Sequence, residues 1–231
     1  MKEDRRLRRW LMFSVGVVFP TLGIGIMTIA GVGTSPISSI PNVLSLIFPP
    51  SIGVFSFSFN MLLILFQAIL LGRRFPKIWL LQIPFTLVFS AIIDLTVSLL
   101  RPAAPQSYPF QLLVLLLGIA VLALGVTIQV FANVLMLPGE ATVQAVSLRF
   151  GIRFGNAKVA TDAVLTAIAA VISLAAFHGL NGVREGTILA AILTGQVVKL
   201  YTRLLDAPLR HILGQPPAEE GRKARRLYIR I

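Results

Sequence analysis

The stretches LGIGIMTIAGVGTSP, residues 22–36, and LGVTIQVFANVLMLP, residues 124–138, decide the fold, because the second repeats the first 102 positions later. Extending this alignment without a gap over residues 22–68 and 124–170 gives twelve identities in 47 positions. The identities include Gly23 with Gly125 and Pro36 with Pro138, and these residue types report backbone geometry rather than shared hydrophobicity. Because an internal repeat governs the whole architecture, we expect two equivalent halves.

The composition is that of a membrane protein. Apolar residues make up 56% of the chain and charged residues 13%, and the mean hydropathy is +0.85. Six segments are long enough to cross about 30 Å of hydrocarbon as helices. They lie at residues 10–31, 52–72, 78–100, 110–136, 157–178 and 186–205. The sequence therefore predicts an all-α polytopic membrane protein with six transmembrane helices.

The distribution of basic residues predicts the orientation. With a cytoplasmic amino terminus, 19 basic residues fall on the cytoplasmic side and only Arg101 and Arg184 fall outside. The net charge of +12 therefore orients the chain and brings its tail towards anionic lipid, and we expect no nucleic acid partner. We expect a multi-pass protein of the cell (plasma) membrane, with both termini in the cytoplasm.

Three helices in each half predict an inverted repeat. An odd number of crossings makes the second copy enter the membrane from the opposite side, so a pseudo-twofold axis would lie in the membrane plane. The predicted divisions are a basic amino terminus, a first repeat, an outer loop, a second repeat and a basic cytoplasmic tail. Their boundaries are residues 1–9, 10–100, 101–109, 110–205 and 206–231.

The segments after the first helix of each half, residues 31–51 and 133–151, are too apolar for solvated loops and too short to cross. In the first, Thr34 or Ser35 could cap a short helix that starts at Pro36 and continues over residues 37–48. One interpretation is a re-entrant helix in each half, whose free N–H groups face a polar or anionic ligand. The other is an amphipathic interfacial helix that only closes the connection.

Ionisable residues inside the predicted spans mark candidate binding groups, because burying a charge in lipid is costly. The repeat pairs Glu140 with Ser38, and with a three-residue insertion it pairs Asp94 with Lys199. Each has a structural alternative: Lys158 and Asp162 could form a salt bridge, Lys199 could extend to the membrane surface, and Glu140 could be a first-turn acid that the helix dipole favours. The candidate substrate-binding residues are Thr34, Ser35, Ser38, Asn60, Asp94, Asn133, Glu140, Lys158, Asp162 and Lys199.

The chain lacks the usual side chains of metal and thiol chemistry. It contains no cysteine, and its two histidines, His178 and His211, do not have the spacing of metal ligands. No His-rich box, Ser-Lys pair or paired-Asp signature is present either. We expect no metal, no cofactor and no catalytic residue.

Four features of the sequence, taken together, are similar to those of a known family. They are GTSP at residues 33–36, Pro-Gly-Glu at 138–140, the Lys158/Asp162 pair and REGTILAAILTGQVVK at 184–199. In this ordered set the chain resembles the YczE/YyaS/YitT group of uncharacterised bacterial integral membrane proteins, over nearly its whole length except the charged tails. The resemblance implies a bacterial plasma membrane location and a multi-pass repeat architecture. It implies no substrate and no catalytic residue.

The function predicted from these patterns is a secondary transporter or permease of a small solute. Its binding site would lie between the repeats, near the breaks at Pro36 and Pro138. The alternative is a non-transporting membrane factor that supports a partner complex, and a third reading is an intramembrane enzyme. The expected partners are membrane lipid, the solute and a second copy of the chain.

Overall fold

The computed structural model describes residues 2–213, with side chains from residue 6 onward. The predicted tail beyond residue 213 lies outside the described residues. Within the described range every regular element is helical. The α-helices are α1 (Lys2–Ala30), α2 (Pro36–Ile47), α3 (Ile52–Leu71), α4 (Gln82–Leu100), α5 (Tyr108–Ala132), α6 (Pro138–Phe150), α7 (Phe154–Phe177), α8 (Glu185–Leu204) and α9 (Asp206–Ile212). Short 3₁₀ turns occupy Gly72–Arg74, Lys77–Leu81 and Arg101–Ala103.

Five of these helices, α1, α3, α4, α5 and α7, are long and apolar enough to cross a membrane. A sixth span is reached only if α8 is counted together with α9, to which it is bent by 66°. The helical class and the membrane character predicted from the sequence are therefore confirmed, with five to six candidate spans.

Several helix ends differ from the sequence prediction for local reasons. The predicted helix 110–136 stops at Ala132, because Asn133 adopts a left-handed conformation with φ of 47° and ends the hydrogen-bonded ladder. The predicted helix 78–100 begins as the 3₁₀ turn Lys77–Leu81 and becomes α-helical only at Gln82. At the other end of the chain α1 begins at Lys2, so residues 2–9 of the predicted basic segment are part of the first helix.

The helices α2 and α6 are half-length elements. With 12 and 13 residues they extend only about 18–20 Å, which is too short to cross the hydrocarbon layer. Each packs against α3 and α7, and the first turns of both are buried. Short helices therefore lie within the helix bundle at the positions where the sequence predicts breaks.

The centre of the fold is the antiparallel packing of α1 against α5. The two helices approach so closely that a Cβ added to any of four glycines would meet atoms of the opposite helix. The contacts are Gly16 with Gln129, Gly23 with Leu122, Gly118 with Met27, and Gly125 with Pro20. The side-chain amide of Gln129 also donates to the Gly16 carbonyl at 2.7 Å. Small residues allow this approach, and close approach is the main source of helix association in lipid.

Element boundaries follow the spacing of the sequence repeat. The helices α1 and α5 end at Ala30 and Ala132, and α2 and α6 begin at Pro36 and Pro138. The helices α3 and α7 begin at Ile52 and Phe154, so each of the three pairs is separated by the same 102 residues. The packing partners also correspond. The helix α1 packs on α4, and its counterpart α5 packs on α8. The helix α2 packs on α7, and its counterpart α6 packs on α3.

Replacing Gly23 with alanine tests the α1–α5 contact. The new Cβ would lie 2.6 Å from the Leu122 amide nitrogen and 2.7 Å from the Gly118 carbonyl oxygen, so the two helices must separate. We expect a loss of about 1–3 kcal/mol in the free energy of unfolding of the protein in detergent.

The matched control is Gly195→Ala in α8, where an added Cβ has no neighbour within 4 Å. This variant should be neutral or up to about 1 kcal/mol more stable, because alanine favours the helix more than glycine does. Equal stability of the two variants would contradict the close contact.

Candidate functional site

The first helix break, residues 31–35, is held against the amino-terminal end of α8. Gly33 has φ of +127° and lies directly against Thr187, so both its conformation and its space require glycine. The amide of Gly186 donates to the Val32 carbonyl at 2.9 Å, and the amide of Thr34 donates to the Thr187 hydroxyl at 3.3 Å. These bonds satisfy backbone groups that the interrupted helix leaves free.

Hydroxyl groups surround the start of α2. Thr34, Ser35, Ser38 and Ser39 are all buried. Ser35 donates from Oγ to the Ser38 hydroxyl at 3.0 Å, and its side chain makes no helix-capping bond, so the predicted capping role of Ser35 is not observed. The Thr34 hydroxyl is buried and has no hydrogen-bond partner among the described residues. The start of α2 therefore holds an unsatisfied polar atom inside the bundle.

The second break, residues 133–137, leads into α6 and is held by α3 and α4. The Pro138 carbonyl accepts a bond from the Gln67 side-chain amide at 3.0 Å and another from the Thr142 hydroxyl at 2.7 Å. Gln82 in turn donates to the Gln67 side-chain oxygen at 3.1 Å. The remaining oxygen, Gln82 Oε1, is buried without a partner among the described residues.

The two half-length helices meet at their first turns. A Cβ added to Gly139 of α6 would collide with the Ile37 side chain of α2. These two residues are themselves matched by the 102-residue spacing. The positive ends of two helix dipoles therefore lie close together, in a part of the bundle where first-turn residues are buried.

Glu140 is next to this meeting point. It lies in the first turn of α6, is partly buried, and makes no hydrogen bond or ion pair with a described residue. A carboxylate in this position gains from the helix dipole of α6. Its oxygens are free to accept from a ligand.

Lys158 and Asp162 form an ion pair on α7 with an N–O distance of 2.8 Å. The Asp162 side chain is only 11% exposed, while that of Lys158 is 34% exposed. At the 102-residue spacing the pair corresponds to Ser56 and Asn60 on α3. The two halves therefore present a charged pair on one side and a neutral polar pair on the other.

Asp94 anchors the start of α3. One carboxylate oxygen accepts from the Ser51 hydroxyl at 2.5 Å and the other from the Gly53 amide at 2.7 Å. Ser51 also caps the helix by accepting from the Val54 amide at 3.2 Å. The structure thus gives Asp94 a capping role from a neighbouring helix, and a contact with solute stays a prediction.

A row of polar residues, here called the α3–α4 seam, follows the packed faces of these two helices. The members of the seam on α4 are spaced four residues apart, so they lie on one face of that helix. The members on α3 lie on the buried face of α3. Two contacts fix the antiparallel alignment, Gly53 with Asp94 at one end and Gln67 with Gln82 at the other. The seam comprises Ser56, Asn60, Gln67, Gln82, Thr86, Ser90 and Asp94.

Four polar atoms of this seam are buried without a hydrogen-bond partner in the described chain: Ser56 Oγ, Gln82 Oε1, Thr86 Oγ1 and Ser90 Oγ. Sequence reasoning missed Ser56, Thr86 and Ser90 as candidates. For Thr86 and Ser90, the sequence feature that could have identified them is the four-residue spacing of polar residues from Gln82 to Asp94 within an otherwise apolar helix. Unsatisfied buried polar atoms are costly, so a row of them points to a ligand or water.

The predicted site residues thus form separate groups. Thr34, Ser35 and Ser38 lie together at the start of α2, and Glu140 lies at the facing start of α6. Asn60 and Asp94 belong to the α3–α4 seam, and Lys158 with Asp162 forms the α7 pair. Asn133 and Lys199 are exposed, and the structure gives neither of them a contact with these groups.

These spans and buried breaks define a polytopic helical membrane protein. The chain belongs to DUF6198, a family of unknown function, whose sequence profile matches residues 7–203. No curated protein and no solved structure matches the chain.

Removing the Asp94 carboxylate tests its capping role. Asp94→Ala leaves the Ser51 hydroxyl and the Gly53 amide without their acceptor, so we expect a loss of about 1–3 kcal/mol in unfolding free energy. The control is Glu185→Ala, which removes an exposed ion pair with Arg184 and should cost less than about 1 kcal/mol. Unfolding in detergent measures both, and a smaller loss for Asp94→Ala than for Glu185→Ala would contradict the cap.

Proposed function

We propose that this chain is a secondary transporter or permease of a small solute, and that the solute binds where the two helix breaks meet. The observation that carries the proposal is the contact between Ile37 and Gly139, which brings the first turns of two half-length helices together inside the bundle. Broken helices facing each other are the usual substrate site of transporters built from repeats.

The polar groups near the breaks support a solute that forms hydrogen bonds. Thr34 Oγ1 in the first break and Gln82 Oε1 near the second are buried and unpartnered in the described chain. Glu140 supplies a carboxylate without a protein partner among the described residues. A solute with hydroxyl, amide or amino groups would satisfy these atoms.

An inverted repeat of three plus three helices is part of the proposal. Its support is that contacts between α1 and α5 occur in exchanged pairs. Gly16 contacts Gln129 while the matched residues Met27 and Gly118 also touch. Such reciprocity between antiparallel helices is expected of a twofold axis that lies in the membrane plane.

The basic residues at the ends of alternate helices support cytoplasmic termini in a plasma membrane. The resemblance to the YczE/YyaS/YitT group agrees with this location.

One difference between the halves suggests how access to the site would alternate. The helices α3 and α4 pack tightly, with Gly53 against Asp94, whereas α7 and α8 touch little. The matched glycine, Gly155, has no neighbour within 4 Å of an added Cβ. Gln196, which corresponds to Asp94 when the 102-residue spacing is continued without the insertion that pairs Asp94 with Lys199, is exposed. In an inverted repeat the second conformation exchanges the roles of the halves. We infer that α7 and α8 close when α3 and α4 separate.

A second candidate, a non-transporting factor, has one observation in its favour. Only 17% of the most apolar stretch of α7 is buried, so much of this helix is free to contact lipid, a partner protein or a second copy of the chain. The buried breaks and their unpartnered polar atoms are not explained by this candidate, so we favour transport. An intramembrane enzyme has no supporting feature among the described residues.

Disulfide trapping tests the alternation, and the chain contains no native cysteine to interfere. In the double variant Gly155→Cys with Gln196→Cys, we expect oxidation in native membranes to form a bond, because the second conformation brings α7 and α8 together. The control pair is Gly155→Cys with Ile188→Cys, since Ile188 lies eight residues, about 12 Å, further along α8. A Gly155/Gln196 pair that never cross-links would contradict the exchange of halves.

The role of Glu140 is tested by transport. A thermal-shift screen of the purified protein against amino acids, polyols and organic acids selects a compound that raises its unfolding temperature. In proteoliposomes we expect Glu140→Gln to lower uptake of that compound roughly tenfold or more, which corresponds to about 1.4 kcal/mol. Glu185→Gln is the matched control, because both residues are first-turn acids.

Two results would count against the proposal. Wild-type uptake by Glu140→Gln at equal reconstitution removes Glu140 from the site. Uptake no faster than in protein-free liposomes, for every compound that stabilises the wild type, contradicts transport itself.

A further inference from the structure

A cavity of about 390 Å³ opens at the amino-terminal end of α1, beside the second helix break. It is lined by Arg6, Arg9, Trp10, Ile78, Asn133 and Val134. Three elements that are distant in the sequence build it, namely α1, the 3₁₀ turn Lys77–Leu81 and the break that leads into α6. Its volume is within the range of pockets that hold small ligands, roughly 300–1,000 Å³.

The cavity is lined by positive charge that no described residue compensates. Arg6 and Arg9 are three residues apart and therefore lie on one face of α1. Neither forms an ion pair with a described residue, and none of the six lining residues is acidic. Two guanidinium groups that converge on one cavity provide several N–H donors with the geometry that suits phosphate oxygens.

The rest of the cavity wall combines apolar and polar side chains, and aromatic contacts hold one of them, Trp10, in place. The Trp10 ring stacks on Phe85 with centroids 6.1 Å apart and meets the edge of Phe13 at 6.2 Å. Ile78 and Val134 add apolar surface, and Asn133 adds an exposed amide. Tryptophan and arginine together are typical of the level where lipid headgroups meet the hydrocarbon.

The sequence repeat shows that this positive charge belongs to one end of the molecule only. At the 102-residue spacing, Arg6 and Arg9 correspond to Tyr108 and Gln111, and Asn133 corresponds to Gly31. The backbone arrangement is matched there, since Gln111 is the side chain closest to Gly31. The equivalent position in the other half therefore carries no cation. A structural role shared by both halves does not explain the two arginines.

We infer that this cavity binds the phosphate group of an anionic phospholipid, with the guanidinium groups on the phosphate and the apolar wall against the glycerol and first acyl carbons. The end of the molecule that holds the cavity is also the end at which the basic residues accumulate, which is the side of the anionic leaflet. Asn133 and Val134 belong to the break before α6, so a bound headgroup contacts the segment that positions Glu140. Free phosphate compounds share this chemistry, and the experiment separates the two sources.

The test measures the unfolding temperature of the purified full-length protein in a neutral detergent. Phosphatidylglycerol, phosphatidylcholine and inorganic phosphate are added separately. We expect phosphatidylglycerol to raise the unfolding temperature by several degrees, and the other two additions to have little effect. Native mass spectrometry should show phosphatidylglycerol retained by the wild type in preference to phosphatidylcholine.

The variant Arg6→Gln with Arg9→Gln should lose most of this shift and most of the retained phosphatidylglycerol, while its unfolding temperature without lipid stays close to that of the wild type. The matched control is Arg203→Gln, an exposed arginine in the last turn of α8 that does not line the cavity. Equal shifts with phosphatidylglycerol and phosphatidylcholine, or a double variant that responds like the wild type, would overturn the inference. A shift of the same size with inorganic phosphate would overturn the lipid assignment in favour of a free phosphate compound.

Discussion

The close antiparallel contact between α1 and α5 is the constraint on which the rest of the fold depends. Hydrophobic burial does not draw two helices together in a bilayer, because lipid chains are as apolar as leucine. Glycines at positions 16, 23, 118 and 125 let the two backbones approach, and the Gln129 amide adds a hydrogen bond to the Gly16 carbonyl. The other helices are arranged around this pair, with α4 on α1 and α8 on α5.

A broken helix in a membrane needs partners for its backbone groups, and the distant half of the chain supplies them. The first break gains a bond from the Gly186 amide to the Val32 carbonyl, and directly after the second break Gln67 donates to the Pro138 carbonyl, at the first residue of α6. Each break is thus held by helices that it does not adjoin in sequence. Buried interruptions of this kind are tolerated only where protein or water satisfies the backbone, which makes them natural places for a ligand.

The two halves share the spacing of their element boundaries but differ in most of their side chains, including several polar ones. Gln67 and Thr142 are hydrogen-bonded to each other beside the second break, while their counterparts, Ala169 on α7 and Ile40 on α2, belong to one apolar cluster. Positions that match in the 102-residue spacing therefore differ in polarity. The breaks and the spacing of the element boundaries concern the backbone, whereas hydropathy and these unmatched polar groups are properties of the side chains.

The sequence by itself determined the membrane character, the half-length helices at Pro36 and Pro138, and the 102-residue spacing of the element boundaries. Hydropathy acts through the transfer of each side chain from water into lipid, whereas proline and glycine act through local backbone geometry, and neither effect needs a partner from another helix. Only the tertiary structure decided that Asp94 caps α3, that Ile37 meets Gly139, and that Ser56, Thr86 and Ser90 form a buried seam with Gln82. Each of these depends on a partner from another helix. An isolated polar residue in an apolar segment indicates that some partner exists, but the packing angle and the register of the helices determine which one it is.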